Sequence, residues 1–315
     1  MTSPKKSATL NSLAKNYSKE DEARELLESL RWPGGVCCPR CGSLTVHKLT
    51  ARPDSEHPVR NGVYKCKDCH SVNKKDQFTV TVGTIFEDSH IPLSKWLLAI
   101  TFMCASKKGV SAHQLHRMLG ITYKSAWFMA HRIRYAMQQS PIGLMHGTVE
   151  ADETYVGGKR RYSSGAGPQF DEKTPVVALV QRNGDVRSFV VPTVSAMSLK
   201  EVLLENVHPS SDLMTDELAA YTKTGRKFAS HQTVNHRKLE YVRGDVYTNS
   251  VEGYFGLLKR GINGVYHHVS REHLHRYLSE FDFRYNRRKI DDDQRTREAI
   301  AGFEGKRLTY KDSLA

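Results

Sequence analysis

Apolar residues recur every three or four positions in several stretches of this chain, a spacing that predicts amphipathic helices. Ser111 and Gln114 have the spacing of a capping box, and Gly120 and Gly261 stand where two of the helices should end. The helices are predicted at residues 18–30, 94–106, 111–119, 124–137, 198–207, 247–260 and 274–285.

Alternating apolar and polar residues predict strands, most of them after residue 140. The Asn183-Gly184 pair predicts a tight hairpin turn between two of these strands. The strands are predicted at residues 64–66, 77–82, 146–158, 174–181, 186–193 and 211–216. Because strands and helices mix after residue 140, this part of the chain is expected to form an α/β domain.

The charge of the chain points to a polyanionic partner. The 315 residues carry a formal net charge of +13, with a pI near 9.4. Nucleic acid is the first candidate and a membrane surface the second. The longest apolar run, residues 96–105, has about half the length that a bilayer requires, and no secretory pattern is visible at the start. We therefore expect a soluble, cytoplasmic protein with no membrane partner.

Four of the six cysteines form two Cys-x-x-Cys pairs, separated by 24 residues. The four are Cys38, Cys41, Cys66 and Cys69. Thiolates at this spacing on two tight turns complete the closed tetrahedral site that suits structural zinc. With the strands predicted on either side of the second pair, they predict a zinc ribbon. Cys37 and Cys104 lie outside the pattern and are not expected to bind the metal.

The helices at 111–119 and 124–137 are joined by a short turn that contains Gly120. This is the arrangement of a helix-turn-helix, although ordinary helical hairpins share it. Beside a zinc ribbon, and in a basic chain, it predicts a DNA-binding region. The basic residues of the second helix are Lys124, Arg132 and Arg134.

Two aspartates lie at positions in predicted strands that suggest a ligand for their charge. Asp152 lies within a strand that must also pack, where a carboxylate is costly unless it binds a cation or a hydrogen-bond donor. Asp216 ends a later strand, the position at which open α/β sheets place their ligands. Weaker candidates beside these two are Glu150, Glu153, Asp212 and Glu217.

A third carboxylate, Glu252, shares one stripe of the helix at 247–260 with Lys259. Hard oxygen ligands with no His or Cys nearby suit Mg²⁺ or Mn²⁺, and a set of carboxylates can hold two such ions. Two ions so placed clamp the attacking and leaving oxygens of a phosphodiester. The sequence therefore predicts metal-dependent phosphodiester chemistry at Asp152, Asp216 and Glu252.

Several segments together carry a resemblance to a known family. They are the Cys38/Cys41/Cys66/Cys69 ribbon, Glu150-Ala-Asp-Glu-Thr-Tyr-Val-Gly-Gly-Lys159, Thr215-Asp216-Glu217, Thr248-Asn-Ser-Val-Glu252 and Leu-Leu-Lys259-Arg-Gly-Ile262. In combination they resemble the zinc-ribbon DDE transposases of bacterial insertion sequences, which are relatives of the Merlin transposons. The resemblance covers nearly the whole chain, from about residue 25 to residue 288.

The resemblance implies an α/β, RNase H-like catalytic core that cleaves DNA at transposon ends and transfers the freed 3′-hydroxyl to target DNA. Asp152, Asp216 and Glu252 would be its metal-binding triad, with Asn249 as an alternative third ligand and Lys259 contacting DNA near the cut. The expected partners are terminal inverted repeats and target DNA, bound by a homodimer or higher oligomer. The expected regions are a helical lead-in (1–34), the ribbon (35–90), the helix-turn-helix (91–140), the catalytic domain (141–290) and a charged tail (291–315).

Further basic residues predicted to contact DNA are Lys159 and Arg160, in a Gly- and Ser-rich loop, and Arg260, Arg287 and Arg288. Arg287 and Arg288 end a helix, so contact with phosphate and interaction with the helix dipole are equally supported. Two other functions remain open. One is a DNA-binding regulator without catalysis, and the other is an RNase H-like structure-selective nuclease that hydrolyses without joining strands.

Overall fold

The computed structural model describes residues 19–50, 59–139, 143–157, 160–163, 166–170 and 173–314. It divides the chain into two compact units. The first unit comprises the chain up to Met137 together with Ile290–Ala315, and the second comprises Gln138–Lys289.

The first unit begins with helix α1 and a small three-stranded sheet. Helix α1 spans Glu20–Arg31, and the antiparallel sheet has the order β1 (Val46–Lys48), β2 (Tyr64–Cys66), β3 (Gln77–Phe78), with the short helix α2 (Lys67–Ser71) after β2. The strand predicted at 77–82 is therefore too long. The chain turns after Phe78, where the N–H of Val82 donates to the carbonyl of Thr79 at 3.2 Å.

Three helices follow, close to their predicted bounds: α3 (Leu93–Ala105), α4 (Ala112–Leu119) and α5 (Tyr123–Met137). The predicted cap of α4 is confirmed, since the hydroxyl of Ser111 accepts the N–H of Gln114 at 3.1 Å. Gly120 ends α4 in the left-handed conformation, with φ at 58°, which glycine adopts without strain. The apolar stripe of α5 is buried as predicted, at Ala126, Met129, Ala130, Ile133 and Met137.

A five-stranded mixed sheet forms the centre of the second unit. Its order is β10 (Ser230–Thr233), β9 (Asp212–Thr215), β4 (Thr148–Val156), β7 (Thr174–Gln181), β8 (Val186–Val190). Strands β4, β7 and β8 are antiparallel neighbours, whereas β9 runs parallel to β4 and β10 parallel to β9. The predicted hairpin between β7 and β8 is confirmed: Asn183 has φ of 61°, and the N–H of Gly184 donates to the carbonyl of Gln181.

Helices cover both faces of this sheet. One face packs against α6 (Ala196–Asn206) and α7 (Ala219–Gly225), in a core that includes Val149, Ala151, Leu199 and Leu203. The other packs against α8 (Asn249–Gly261) and α9 (Arg271–Asn286), in a core that includes Val176, Ala178, Val251 and Phe281. A mixed sheet between helices agrees with the α/β, RNase H-like core that the resemblance implied.

Two small hairpins and a helix extension complete the second unit. The segment expected to be a loop after residue 157 contains the paired strands β5 (Arg160–Ser163) and β6 (Ala166–Phe170), and β11 (Val242–Arg243) pairs with β12 (Val246–Tyr247) before α8. The α-helix ends at Gly261, as predicted. The chain continues from α8 into a π-helical turn, Ile262–Tyr266.

The last residues return to the first unit as α10 (Asp292–Ala301) and α11 (Tyr310–Leu314). The sequence predicted only a charged tail here. The side chains of Ala299, Ile300 and Phe303 are nonetheless buried, and Arg31 of α1 donates to both carboxylate oxygens of Glu304, at 2.7 and 2.8 Å. These contacts give the C-terminal residues a packed position in the first unit.

Candidate metal centres

The four predicted zinc ligands converge in the first unit. Their Sγ atoms all lie within 4.8 Å of one another. The Sγ atoms of Cys38 and Cys69 are 3.8 Å apart, those of Cys41 and Cys66 are 3.6 Å apart, and those of Cys41 and Cys69 are 3.5 Å apart. A tetrahedral ion with Zn–S bonds of about 2.3 Å requires sulfur atoms roughly 3.8 Å apart. The thiol cluster therefore fits a closed structural zinc site.

Sheet topology explains how two of the predicted carboxylates meet in the second unit. Strand β9 lies parallel beside β4, with Glu150 opposite Met214. Asp216 follows β9 directly, so along the strand direction it lies at the same level as Asp152. Carboxylate oxygens of Asp152, Glu153 and Asp216 lie within 4.8 Å of one another. The structure thus joins the two aspartates and adds Glu153, which the sequence ranked lower.

Each member of this acidic cluster is held by its own donor. The backbone N–H of Glu153 donates to Asp152 Oδ1 at 2.8 Å, and the N–H of Leu218 donates to Asp216 Oδ1 at 3.0 Å. The buried hydroxyl of Tyr221 donates to Glu153 Oε2 at 2.8 Å. These bonds fix the direction of the carboxylates while leaving other oxygen lone pairs available.

The charges of the cluster repel one another. Burial, and to a smaller extent the negative charges of Glu153, Asp216 and Glu252, together raise the pKa of Asp152 to about 7. Burial also raises the pKa of Glu153. A divalent cation among these oxygens would offset both effects, and all of the donors are hard oxygens of the kind that Mg²⁺ and Mn²⁺ prefer.

Glu252 lies beside the acidic cluster, on the first turn of α8. Its Oε1 accepts the hydroxyl of Thr248 at 3.0 Å, and His236 Nε2 lies 3.5 Å from the same oxygen. Thr248 precedes α8 without capping it by its side chain, because its hydroxyl bonds to Glu252 instead. Although Glu252 is outside the set within 4.8 Å, its charge acts on Asp152.

Glu150, a weaker candidate ligand in the sequence, has a structural role. It is fully buried, and it pairs with Arg182 at 2.8 Å. It also accepts the N–H groups of Ser250 and Val251, at 2.8 and 3.2 Å, and the hydroxyl of Ser250 at 3.0 Å. Glu150 therefore caps α8 from the central strand and sets the position of Glu252. No sequence spacing signals this contact, since the partners lie 100 residues apart.

The two carboxylates that flank Asp216 in the sequence also have other partners. Asp212 accepts the hydroxyl of Ser230 at the start of β9. Glu217 accepts the N–H groups of His236, at 3.0 Å, and Arg237, at 3.3 Å. Both interactions hold neighbouring segments in place.

Comparisons with known proteins identify the family. Residues 144–286 match the ISXO2-like transposase domain, and residues 18–72 match the transposase zinc-ribbon domain. An uncharacterized protein in transposable element ISH50 of Halobacterium salinarum is 30% identical over 293 residues, 86% of this chain and 92% of the relative. The chain belongs to the ISXO2-like DDE transposases. An uncharacterized transposase-like protein of Haemophilus influenzae is 28% identical to this transposase over 105 residues, 33% of this chain and 84% of the relative.

Solved structures give weaker likenesses. The Mos1 strand transfer complex has a TM-score of 0.28 at 14% identity, covering 60% of this chain and 69% of that chain. The Mos1 mariner paired end complex with Mn has a TM-score of 0.19 at 13% identity, covering 56% and 72%. TM-scores this low do not establish a common fold. The assignment therefore rests on the family match, the ISH50 relative and the geometry above.

Two of the basic residues predicted to contact DNA are buried, and the prediction is wrong for them. The side chains of Arg132 and Arg134 are 5% and 2% exposed. The guanidinium of Arg132 donates to the carbonyls of Ile85, Glu87 and Leu308, at 2.8, 2.9 and 2.9 Å. These hydrogen bonds tie α5 to other segments of its own unit through Arg132, and Arg134 is buried on the same helix. Lys124 remains exposed, with its ammonium 4.5 Å from the ring centre of Tyr310.

The other basic residues of the transposase lie in different settings. Lys259 and Arg260 are exposed on α8. Arg288 stacks on Tyr285 and donates to the carbonyls of Tyr285 and Gly184, which favours a structural role at the helix end. Arg287 stacks on Phe283. Lys159 and the side chain of Arg160 lie outside the described residues.

Among the residues that the structure describes, none of the helices combines the length and the hydropathy needed to span a bilayer.

Proposed function

We propose that this transposase binds the terminal inverted repeats of its insertion sequence, cleaves a DNA strand there, and joins the freed 3′-hydroxyl to target DNA. Asp152, Asp216 and Glu252 would hold the catalytic divalent ions, with Glu153 beside them. The observation that carries the proposal is the convergence of the carboxylates of Asp152, Glu153 and Asp216 within 4.8 Å, where β9 ends beside the middle of β4.

The donor set fits two Mg²⁺ ions, or two Mn²⁺ ions. When bound, such ions supply a nucleophilic oxygen at neutral pH and stabilise the departing oxygen of an in-line phosphoryl transfer. Four carboxylates at one place carry enough negative charge to balance two divalent cations, and their fixing donors leave lone pairs free for coordination.

The protein positions the reacting groups through contacts described above. Glu150 anchors the start of α8, Thr248 orients Glu252, and Leu218 orients Asp216. Lys259 lies two helical turns from Glu252, exposed on α8. We propose that its ammonium, with Arg260, contacts the DNA backbone near the cut. An assembly of at least two chains would hold the two ends together.

A strand-transfer assay tests the proposal. A duplex of the element's own end, labelled at the 5′ end of the strand that is to be transferred, is incubated with the protein and a target plasmid, once with Mg²⁺ and once with Mn²⁺. We expect labelled plasmid with the wild-type protein and none with Asp216→Ala. Cleavage without joined product would favour the structure-selective nuclease, and binding without cleavage would favour the regulator.

A further inference from the structure

An exposed segment beside the acidic cluster combines apolar and basic side chains. Three large hydrophobic residues are exposed within four consecutive positions: Leu239 at 76%, Tyr241 at 51% and Val242 at 52%. Such a concentration of exposed apolar groups usually marks an interaction surface. These residues belong to the stretch from Arg237 to Arg243, the 237–243 segment.

The 237–243 segment lies close to the proposed site of cleavage. The ring centre of His236 lies 5.2 Å from the ring centre of Tyr241, and His236 Nε2 lies 3.5 Å from Glu252 Oε1. The segment also runs into the β11–β12 hairpin, and β12 leads directly into α8. A molecule that touches Tyr241 is therefore close to the carboxylate of Glu252.

The charge of the segment selects the kind of partner. Arg237 is 89% exposed, with Glu217 3.6 Å away, and Arg243 is 57% exposed, with Glu240 3.3 Å away. Lys238 is exposed as well. Surface ion pairs of this kind contribute little, so phosphates can compete for the guanidiniums. An aromatic ring between cationic side chains is the combination that binds unpaired nucleotides, with bases on the ring and phosphates on the cations.

We propose that the 237–243 segment binds a nucleotide that is unpaired from the duplex at the cleaved end, with its base stacked on Tyr241. This inference rests on the proposed function, because it needs a DNA end at the acidic cluster. Unpairing next to the cut would give the carboxylates access to a phosphodiester that a fully stacked duplex holds more rigidly.

Equilibrium binding to two end duplexes tests the proposal. The duplexes have the same transferred strand, but one is fully paired and the other has mismatches beside the cut. Without added Mg²⁺, the wild-type protein should bind the mismatched duplex more tightly. Tyr241→Ala should lower that preference about tenfold, the magnitude of one base–aromatic stack. Tyr241→Phe keeps the ring and should keep the preference.

Further variants separate this proposal from its alternatives. Met197→Ala, at a residue 79% exposed on α6, should leave both affinities unchanged. Replacing Arg237 and Arg243 together by Ala should weaken the binding of both duplexes equally. It should also reduce the slope of log affinity against log salt concentration by about two. Asp152→Ala should lose cleavage yet keep the mismatch preference. Failure of the proposed catalytic function can therefore be distinguished from failure of nucleotide binding by the 237–243 segment. Equal binding of both duplexes by the wild-type protein, or a change only in self-association with Tyr241→Ala, would overturn the proposal.

Discussion

The thiol cluster of the first unit and the acidic cluster of the second are assembled in different ways. The four cysteines come from one continuous stretch of chain, residues 38–69, and their spacing alone predicted the site. The acidic cluster draws on β4, the end of β9 and the start of α8, with Asp152 and Glu252 separated by most of the second unit. A local motif can be identified from spacing, whereas a site built by sheet topology needs the strand order.

The two clusters also differ in what a metal ion does for the fold. A closed zinc site supplies folding energy to a module whose hydrophobic core is small. The acidic cluster is already held by Leu218, Tyr221 and the chain itself, and its ligands repel one another without a cation. Removal of zinc should therefore unfold its surroundings, while removal of Mg²⁺ should stop catalysis and leave the second unit folded.

The largest expected effect is the loss of the ribbon without zinc. Structural zinc contributes roughly 10–16 kcal/mol in small zinc modules, more than such a module can lose and stay folded. Cys66→Ser, or a strong zinc chelator, should abolish hydrogen-exchange protection in β1 to β3 and leave protection in β4 and β7 unchanged. Cys37→Ser, next to the cluster but outside it, is the matched control and should retain one zinc per chain. Unchanged exchange in β2 after zinc removal would contradict the closed-site interpretation.

At the acidic cluster we expect the opposite outcome, in which activity is lost and the fold is kept. Asp152→Asn should lower the rate of end cleavage by about a thousandfold, because a neutral amide cannot replace a metal-binding carboxylate. The free energy of unfolding should stay the same or increase, since the substitution removes like-charge repulsion. Asp185→Asn, at the exposed β7–β8 hairpin, is a control for charge and should cleave normally. Loss of stability together with activity would mean that Asp152 is structural.

Glu150 lies in β4, like Asp152, but we expect its substitution to affect stability. Glu150→Gln should destabilise the protein by about 3–5 kcal/mol, because it leaves the buried side of Arg182 without a countercharge and weakens the cap of α8. Denaturant unfolding measures the change. The double variant Glu150→Gln, Arg182→Met should recover part of the loss, because neither charge then remains buried. A single variant as stable as wild type would remove the anchoring role of Glu150.

Much of the fold followed from the sequence because it depends on local signals. Helical periodicity located α3, α4 and α5, and the Ser111 cap and the Asn183-Gly184 turn formed as predicted. Residues whose role depends on distant partners were misjudged. Arg132 and Arg134 looked like an exposed basic face, but carbonyls from distant segments receive the guanidinium of Arg132, and no periodicity encodes such contacts.

The candidate site was predicted in part for the same reason. Asp152 and Asp216 stood out because each lies in a strand or at its end, and the register of β4 and β9 brings them together. The sequence ranked Glu153 below the two aspartates and gave no signal for His236. Glu153 depends on a buried tyrosine of α7, and His236 on a short turn that Glu217 holds by two backbone bonds.

The smallest expected effect concerns Asp282, a carboxyl of α9 that contrasts with Asp152. Burial raises the pKa of Asp282 to about 7, although it accepts the hydroxyls of Ser188 and Tyr254 and the N–H of Ser188. An ordinary aspartate titrates near 3.9, so between about pH 4 and pH 7 the folded state keeps a proton that the unfolded state has released. Stability should therefore fall as pH rises through this window.

Asp282→Asn should remove this part of the pH dependence, because the amide does not ionise. Urea midpoints of wild type and variant, measured near pH 5 and pH 7.5 with saturating Mg²⁺, give the difference in slope. The metal holds Asp152 ionised throughout, so its own titration does not contribute. Parallel pH profiles would show that the three donors of Asp282 outweigh its burial.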